Sequence, residues 1–222
     1  KAVEKAGSEL KENIGTCAAD VLECKPKGLE VAGRAVRRID GTGEVSLFDI
    51  ATKSMCGNIT AVEATASHSS PISPPPFMVG MVEIELDRET GQVDVLDYAA
   101  VVDCGPPVNP GLARVQTEGG IVQGIGMARF EDVTYEPTGR IMENSFMQYK
   151  IPTRLDMGKL RVEFESSYEQ TGPFGAKSIG EIVINTPSPA IAHAIAHATG
   201  VWHRELPITP EKVLRGIQKG QE

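Results

Sequence analysis

Two long strand-forming runs stand side by side in this sequence and constrain its fold more than any other feature. Residues 77–86 and 92–102 are rich in apolar and β-branched side chains, and the connection between them, residues 87–91, ends on Gly91. Glycine supplies the positive φ that a hairpin turn of this length needs. The sequence therefore predicts a long antiparallel hairpin with one face covered by other elements.

The other predicted elements lie in separate stretches rather than in strict alternation, and this favours an α+β fold over a doubly wound parallel sheet. Gly15 is a point where the first predicted helix can break. Apolar spacing, caps and prolines predict helices over residues 1–23, 46–55, 109–130, 188–200 and 209–216. Apolar and β-branched runs predict further strands over residues 29–39, 59–66, 135–150 and 160–166, and residues 67–76 read as a proline-rich loop.

The predicted helix over residues 109–130 is unusually rich in glycine. It contains Gly119, Gly120, Gly124 and Gly126. Each glycine costs a helix up to about 1 kcal/mol relative to alanine. Close approach of the backbone to something else must offset this cost, either another element of the fold or a ligand.

The segment TGPFGAKSIGE, residues 171–181, is the strongest candidate for chemistry. Its glycines surround Lys177 and Ser178, and it ends on Glu181. A glycine-rich loop exposes N–H groups to a polar or anionic ligand, and a carboxylate at its end can act as a base. The pattern alone favours the simpler interpretation, a flexible surface connection with a solvated glutamate. Likewise, Gln116 and Gln123 read as solvent-facing residues of their helix.

Two other patterns, one of glycines and one of histidines, are typical of ligand-binding sites but have simpler interpretations. Gly124 and Gly126 could begin a dinucleotide-binding fingerprint, but Arg129 occupies the third glycine position and the preceding residues are helical, so that interpretation is rejected. His193 and His197, one helical turn apart, could share a zinc ion. The glutamate of the zincin motif is absent and no third ligand is obvious, so two histidines at the edge of an alanine-rich helix is the favoured interpretation.

Charge and composition exclude several classes of function. The formal net charge is -8 and the basic residues are scattered, which argues against nucleic-acid binding. No apolar run approaches the roughly 20 residues needed to span a bilayer. The cysteines, Cys17, Cys24, Cys56 and Cys104, fit no disulfide framework, so we expect reduced thiols in a cytoplasmic protein, with Cys104 a plain buried thiol. The chain begins within a helical pattern, as expected for part of a longer protein.

Four motifs in register resemble one protein family. They are GPFGAKSIGE at residues 172–181, QTEGGIVQGIG at 116–126, YKIPT at 149–153 and ELPITPEKV at 205–213. Together they resemble the C-terminal half of the molybdenum-binding catalytic chain of the xanthine dehydrogenase and aldehyde oxidoreductase family. The resemblance runs from about Ile59 to the C-terminus, with weaker motifs before it. It implies an α+β cofactor-binding domain at residues 59–222, preceded by a helix-and-hairpin segment at residues 1–58.

The resemblance also implies roles for individual residues. Glu181 ends the K-x-x-G-E motif, whose glutamate lies beside the metal in this family and acts as the general base. Gln116 matches a glutamine that hydrogen-bonds the cofactor. Ile182 and Val183 replace the proline pair that usually follows the glutamate. No residue is expected to ligate the metal, and the main chain of four residues is expected to line the cofactor: Lys177, Ser178, Ile179 and Gly180.

A molybdenum hydroxylase is the activity that the resemblance implies. Such an enzyme oxidises a C–H bond of an N-heteroaromatic (nicotinate-like or purine-like) or aldehyde substrate, with water as the oxygen source. The implied cofactor is molybdopterin, with a cytosine dinucleotide form as one option. The 2Fe-2S clusters and FAD would reside on other domains or subunits, and the remaining molybdenum-binding half would be a partner. Either a split chain, as in nicotinate dehydrogenase-like enzymes, or an excised piece explains the length. A non-catalytic assembly module that completes a partner's fold is the alternative.

Overall fold

A small antiparallel sheet and two helices form the first of two units, which comprise Lys1–Ser70 and Pro71–Glu222. This computed structural model describes residues 1–56 and 62–220, so the predicted boundary between residues 58 and 59 lies outside the described residues. The first unit contains helices α1 (Ala2–Val21) and α2 (Leu47–Cys56) and strands β1 (Leu29–Ala32), β2 (Ala35–Arg38) and β3 (Glu44–Ser46), in the sheet order β1-β2-β3.

The predictions for the first unit were partly right. Helix α1 continues through Gly15 without a break. The single strand predicted over residues 29–39 is wrong: the chain reverses at Gly33, whose φ is 61°, and β1 and β2 pair as a hairpin. The predicted start of α2 is confirmed, since the Asp49 N–H donates to Ser46 Oγ at 3.0 Å. Of the strand predicted over residues 59–66, residues 59–61 lie outside the described part and residues 62–66 are not a strand.

The predicted hairpin forms the sheet of the second unit. Strands β4 (Phe77–Leu86) and β5 (Val93–Asp103) pair antiparallel, and Gly91 between them has a φ of 76°. Strand β6 (Lys159–Phe164) runs parallel to β5, which gives a mixed sheet in the order β4-β5-β6. Alternate residues of β4, among them Val79 and Met81, are exposed.

Helices cover one face of this sheet. They are α3 (Pro110–Arg129), the single turn α4 (Ile182–Asn185), α5 (Pro187–Thr199) and α6 (Pro210–Lys219). As predicted, Asn109 caps α3 by accepting the Leu112 N–H at 3.1 Å. The core of this unit joins sheet and helices through buried side chains that include Val93, Tyr98, Val162, Ile121, Ile125, Ile191, Ile195 and Val213. The predicted α+β class is therefore confirmed.

Three predictions for this unit need adjustment. The strands predicted over residues 135–150 are wrong apart from one isolated bridge between Tyr135 and Ile141. The prediction of a last helix to about residue 216 is short by one turn. The helix predicted to begin at Ser188 begins at Pro187 and ends at Thr199, and Gly200, whose φ is 79°, closes it as predicted. Among the described residues, no helix is long and apolar enough to cross a membrane.

Candidate functional site

A cavity of about 320 Å³ lies where the beginning of α3 meets the glycine-rich segment. Its lining includes Gln116 and Leu112 from α3, and Lys177 and Ile179 from the segment. The remaining wall comes from the chain that follows β5, beginning at Cys104. The structure therefore brings together residues more than fifty positions apart in the sequence, and three of them belong to the predicted cofactor-binding set.

Gln116 is presented outward by its helix. It is exposed, and within the described part of the chain its carboxamide has no hydrogen-bond partner. Its neighbour Thr117 faces the opposite way: it is buried, and its hydroxyl donates to the Ala113 carbonyl at 2.9 Å. A free carboxamide offers a donor and an acceptor to a ligand in the cavity.

The glycines of α3 divide into two groups. A Cβ added to Gly120 would lie 2.2 Å from Val183 Cγ2, and one added to Gly124 would lie 2.7 Å from Pro187 Cγ. These two glycines therefore let α4 and the start of α5 pack directly on α3. Gly119, by contrast, faces open space, with nothing within 4 Å of an added Cβ. Of the two explanations for a glycine-rich helix, close packing against another element is confirmed for Gly120 and Gly124, and contact with a ligand stays a prediction.

The glycine-rich segment offers main-chain donors. The Lys177 N–H donates to the Cys104 carbonyl at 2.6 Å. The next three N–H groups, those of Ser178, Ile179 and Gly180, have no hydrogen-bond partner among the described residues. A Cβ added to Gly180 would meet nothing within 4 Å. Successive open N–H groups are a donor set that suits a polar or anionic group, so these residues fit a ligand such as a phosphate-bearing cofactor.

The side chain of Lys177 is already engaged within the protein. Its Nζ lies 2.7 Å from Asp103 Oδ2, and the two side chains are only 10% and 18% exposed. Asp103 also accepts hydrogen bonds from Ser167 Oγ at 2.5 Å and from the Gly105 N–H at 3.1 Å. Hydrogen bonds from Lys177 and then Ser167 lower the pKa of Asp103 below its usual range. The ammonium and the N–H of Lys177 are therefore both engaged within the protein, and the open donors of the segment begin at Ser178.

Sequence reasoning missed Asp103 and Ser167. Asp103 comes one residue after the predicted end of the strand, and Ser167 comes shortly after β6, so neither stands near Lys177 in the chain. No signal in the sequence pairs Lys177 with Asp103 rather than with the nearer Glu181.

Glu181 immediately precedes α4. Glu181 is exposed, and its carboxylate has no hydrogen-bond or ion-pair partner among residues 1–56 and 62–220. Val183, two positions later, packs against Gly120, one turn beyond Gln116, so α4 lies against the helix that bears Gln116. Glu181 does not line the cavity, and neither do Ser178 and Gly180.

A second contact attaches this region to the sheet. Tyr98 of β5 is fully buried, and its hydroxyl lies 2.9 Å from Thr186 Oγ1, between α4 and α5. Burial raises the pKa of Tyr98. Gly80 of β4 makes room for this contact, because a Cβ there would lie 2.1 Å from the Tyr98 hydroxyl.

Among the described residues, no metal site forms around His193 and His197. His193 makes an edge-to-face contact with Trp202, with ring centroids 5.0 Å apart. Within the described ranges, no group of three or more His, Cys, Asp and Glu side chains could hold a metal ion. A zinc site on His193 and His197 thus has no third ligand there. Cys104 is buried, and burial raises its pKa, as expected for a structural thiol.

Comparisons with known proteins give a consistent picture. The sequence model of a family described as "Molybdopterin cofactor-binding domain" matches residues 1–158. The chain is 34% identical over 220 residues, 98% of its length, to "Probable hypoxanthine oxidase XdhD" of Escherichia coli, of which it covers 23%. It is 33% identical to the "6-hydroxypseudooxynicotine dehydrogenase complex subunit gamma" of Paenarthrobacter nicotinovorans, with 99% of this chain and 29% of that protein covered.

A solved structure shows the same fold. The crystal structure of quinoline 2-oxidoreductase from Pseudomonas putida 86 matches with a TM-score of 0.72 and 26% identity, covering 96% of this chain and 28% of that one. The chain thus spans 23% to 29% of the length of these proteins. The family match includes the first unit, so the family likeness extends well before Ile59, where the motifs were weaker.

Proposed function

This chain belongs to the family of molybdopterin cofactor-binding domains of xanthine dehydrogenase-like and aldehyde oxidoreductase-like proteins, and on that premise we propose that it forms part of the cofactor site of a molybdenum hydroxylase. The observation that carries the proposal is the cavity between α3 and the glycine-rich segment. It brings the unpartnered carboxamide of Gln116 to the same place as the open N–H group of Ile179. Neighbouring donors from Ser178 and Gly180 extend this set.

These groups would hold the cofactor without ligating its metal. The Gln116 carboxamide would hydrogen-bond a polar edge of the cofactor, and the main chain of residues 178–180 would donate N–H groups and leave space for close approach at Gly180. The bound cofactor would supply the two-electron redox chemistry by which a substrate C–H bond is oxidised, with water as the oxygen source. A cytosine dinucleotide form of the cofactor is one option within this proposal, and chemical analysis of the bound cofactor tests it.

Glu181 is the proposed general base. A base must be ionised at the working pH and must reach the proton that it accepts. The carboxylate of Glu181 has neither an ion pair nor a hydrogen bond among the described residues, so it is free to accept a proton from the attacking oxygen nucleophile. The packing of Val183 on Gly120 keeps this residue beside the Gln116 helix.

The proposed substrate is a small N-heteroaromatic molecule, nicotinate-like or purine-like. The names of relatives support this choice, since they include a hypoxanthine oxidase and a nicotine 6-hydroxylase. An aldehyde is the second candidate, because a relative is named aldehyde oxidoreductase. One relative is named as a complex subunit, which supports a hetero-oligomer in which the rest of the molybdenum-binding half, an iron-sulfur unit and a FAD unit are partners. A cytoplasmic location stays a prediction.

One observation favours the alternative, a non-catalytic assembly module. Glu181 stands outside the lining of the cavity that contains Gln116. In that case this chain would complete a partner's fold and contact the cofactor only through Gln116 and the main chain of residues 177–179.

Substitution of Glu181→Gln in the complete enzyme tests the proposal. We expect the molybdenum content to stay unchanged and turnover to fall about 10²–10⁴-fold, the usual contribution of a general base. Glu163→Gln, an exposed glutamate on β6, is the matched control and should keep full turnover. Normal turnover of Glu181→Gln would exclude Glu181 as the base and support the assembly module. Loss of molybdenum would instead assign Glu181 to cofactor binding.

A further inference from the structure

We propose that Lys177 is a positioning residue: its ion pair with Asp103 fixes the glycine-rich segment to the end of β5 and thereby sets the place of residues 178–181. This inference rests on the proposed function, because those residues carry the open N–H groups and Glu181. It assigns the lysine of the K-x-x-G-E motif a role within the protein rather than at the cofactor. It also adds Asp103 and Ser167 to the residues on which the site depends.

Lys177 binds the end of β5 twice. Its ammonium pairs with Asp103 at 2.7 Å, and its own N–H donates to the Cys104 carbonyl at 2.6 Å. Side chain and main chain therefore hold the same residue against two consecutive positions of the chain. Charge-assisted hydrogen bonds of this length are about twice as strong as neutral ones. With side-chain exposures of 10% and 18%, the pair is also shielded from competing water.

The carboxylate that receives Lys177 is itself held in place. Asp103 Oδ1 accepts hydrogen bonds from Ser167 Oγ and the Gly105 N–H, which leaves Oδ2 for the lysine. Ser167 follows β6, so the end of the neighbouring parallel strand helps to orient the acceptor. A preorganised carboxylate holds a flexible lysine in one place more effectively than a mobile one would.

Two more contacts surround this anchor. The Lys177 Nζ lies 5.7 Å from the centre of the Phe77 ring, and Phe77 is the cross-strand partner of Asp103. The backbone also approaches closely here, because a Cβ on Gly105, whose φ is 66°, would lie 2.2 Å from the Gly175 carbonyl oxygen. The glycine-rich segment thus lies directly on the residues that follow β5.

Lys177 is one of two residues that attach this part of the chain to β5. Thr186 binds Tyr98, five positions before Asp103 on the same strand. The residues with open N–H groups and Glu181 lie between these two attachments. Loss of the Lys177 attachment would free one end of that stretch while the other stayed bound.

Direct contact between the Lys177 ammonium and the cofactor is the competing interpretation, and the two differ in what Asp103 contributes. A positioning role makes Lys177 and Asp103 one functional unit, so removing either should have the same effect and removing both should be no worse. A direct role makes the lysine much more important than the aspartate, and the two effects should add.

The experiment uses the complete enzyme and the variants Lys177→Met, Asp103→Asn and the double variant. Amide hydrogen exchange and molybdenum content are measured beside kcat and KM. We expect exchange of the residue 177 amide, which is bonded to the Cys104 carbonyl, to rise about tenfold in each single variant. We expect kcat to fall about 10²-fold because the site is displaced, with KM unchanged. The double variant should match the single variants.

A second ion pair on the same sheet provides the control. Arg161 of β6 pairs with Asp97 of β5 at 3.0 Å and, among the described residues, forms no hydrogen bond or ion pair with the glycine-rich segment. Arg161→Met should leave the exchange of residues 177–181 and kcat unchanged. If the Lys177→Met chain fails to fold because Asp103 is left uncompensated, Asp103→Asn is compared with the double variant, which also removes both charges. Equal effects support the positioning role, and a much larger effect of the double variant contradicts it.

Three results would overturn the inference. They are unchanged exchange of the residue 177 amide in both single variants, additive effects in the double variant, or a much larger effect of Lys177→Met than of Asp103→Asn. Failure of the proposed function would look different: the parent protein would hold no molybdenum or Glu181→Gln would turn over normally. The exchange measurements would still decide whether Lys177 holds the segment.

Discussion

The two sides of α3 use glycine for opposite purposes. On the buried side, Gly120 and Gly124 leave no room for even a methyl group, because Val183 and Pro187 occupy that space. On the open side, Gly119 has nothing within 4 Å of an added Cβ, and the same holds for Gly180 in the glycine-rich segment. Gly120 and Gly124 let α4 and α5 pack on α3, whereas Gly119 and Gly180 leave their backbone exposed.

This difference shows that glycines one position apart in the same helix can have opposite surroundings. The buried pair sets the distance between α3 and α4, and so places Glu181 beside the helix that bears Gln116. The open pair has no structural reason to be glycine. Neither open glycine lines the cavity, although Gly180 directly follows Ile179, which does.

The largest expected effect on stability is that of Gly120→Ala. The new methyl group would meet Val183 at 2.2 Å, and Val183 is fully buried. We expect the free energy of unfolding to fall by about 1–3 kcal/mol, the usual cost of overpacking. Thermal or urea unfolding measures this free energy, and Gly124→Ala should lower it as well. Unaltered stability of both variants would mean that the buried side is not tightly packed.

Gly119→Ala, one position away on the same helix, should act in the opposite direction. Nothing opposes the added methyl group, and alanine is the better helix former by up to about 1 kcal/mol. We expect a small gain in the free energy of unfolding, measured by thermal or urea unfolding. A destabilised Gly119→Ala protein would abolish the distinction between the two sides of α3.

The smallest expected effect concerns pH. The buried side of α3 is held by apolar contacts, whereas the glycine-rich segment is held by the charge of Asp103. The folded protein lowers the pKa of Asp103, mainly through the hydrogen bond from Lys177. The associated stability is therefore present above the unfolded pKa of about 3.9 and is lost as the pH falls toward the folded value.

Asp103→Asn isolates this contribution. The difference in unfolding free energy between the parent chain and the variant should be constant near neutral pH and should shrink below about pH 4. The difference between the parent chain and Gly120→Ala should not change over the same range. A pH-independent difference for Asp103→Asn would indicate that its charge does not hold the segment.

Local signals explain which parts of the fold could be predicted. The hairpin of β4 and β5 was predicted because both strands and the Gly91 turn are encoded by neighbouring residues. The start of α3 was predicted because Asn109 caps it directly. The strand over residues 29–39 failed because its apolar pattern continues through Gly33, where the backbone turns. Most of residues 135–150 failed because apolar residues alone do not supply a partner strand.

The candidate site shows the same limit. Gln116 and residues 177–181 were identified from motifs, and the structure brings Gln116, Lys177 and Ile179 to one cavity. The ion pair between Lys177 and Asp103 could not be predicted from the sequence, because the two residues are 74 positions apart.

The amino-acid sequence by itself determined the hairpin, the capped helices, the α+β class and the motifs of the family, because each depends on residues close together in the chain. Only the tertiary structure decided which glycines are closed and which are open, and what holds Lys177. The physical reason is that these properties depend on atoms brought by distant segments: Val183 against Gly120, and Asp103 against Lys177. Packing distance and charge pairing are set by the fold as a whole.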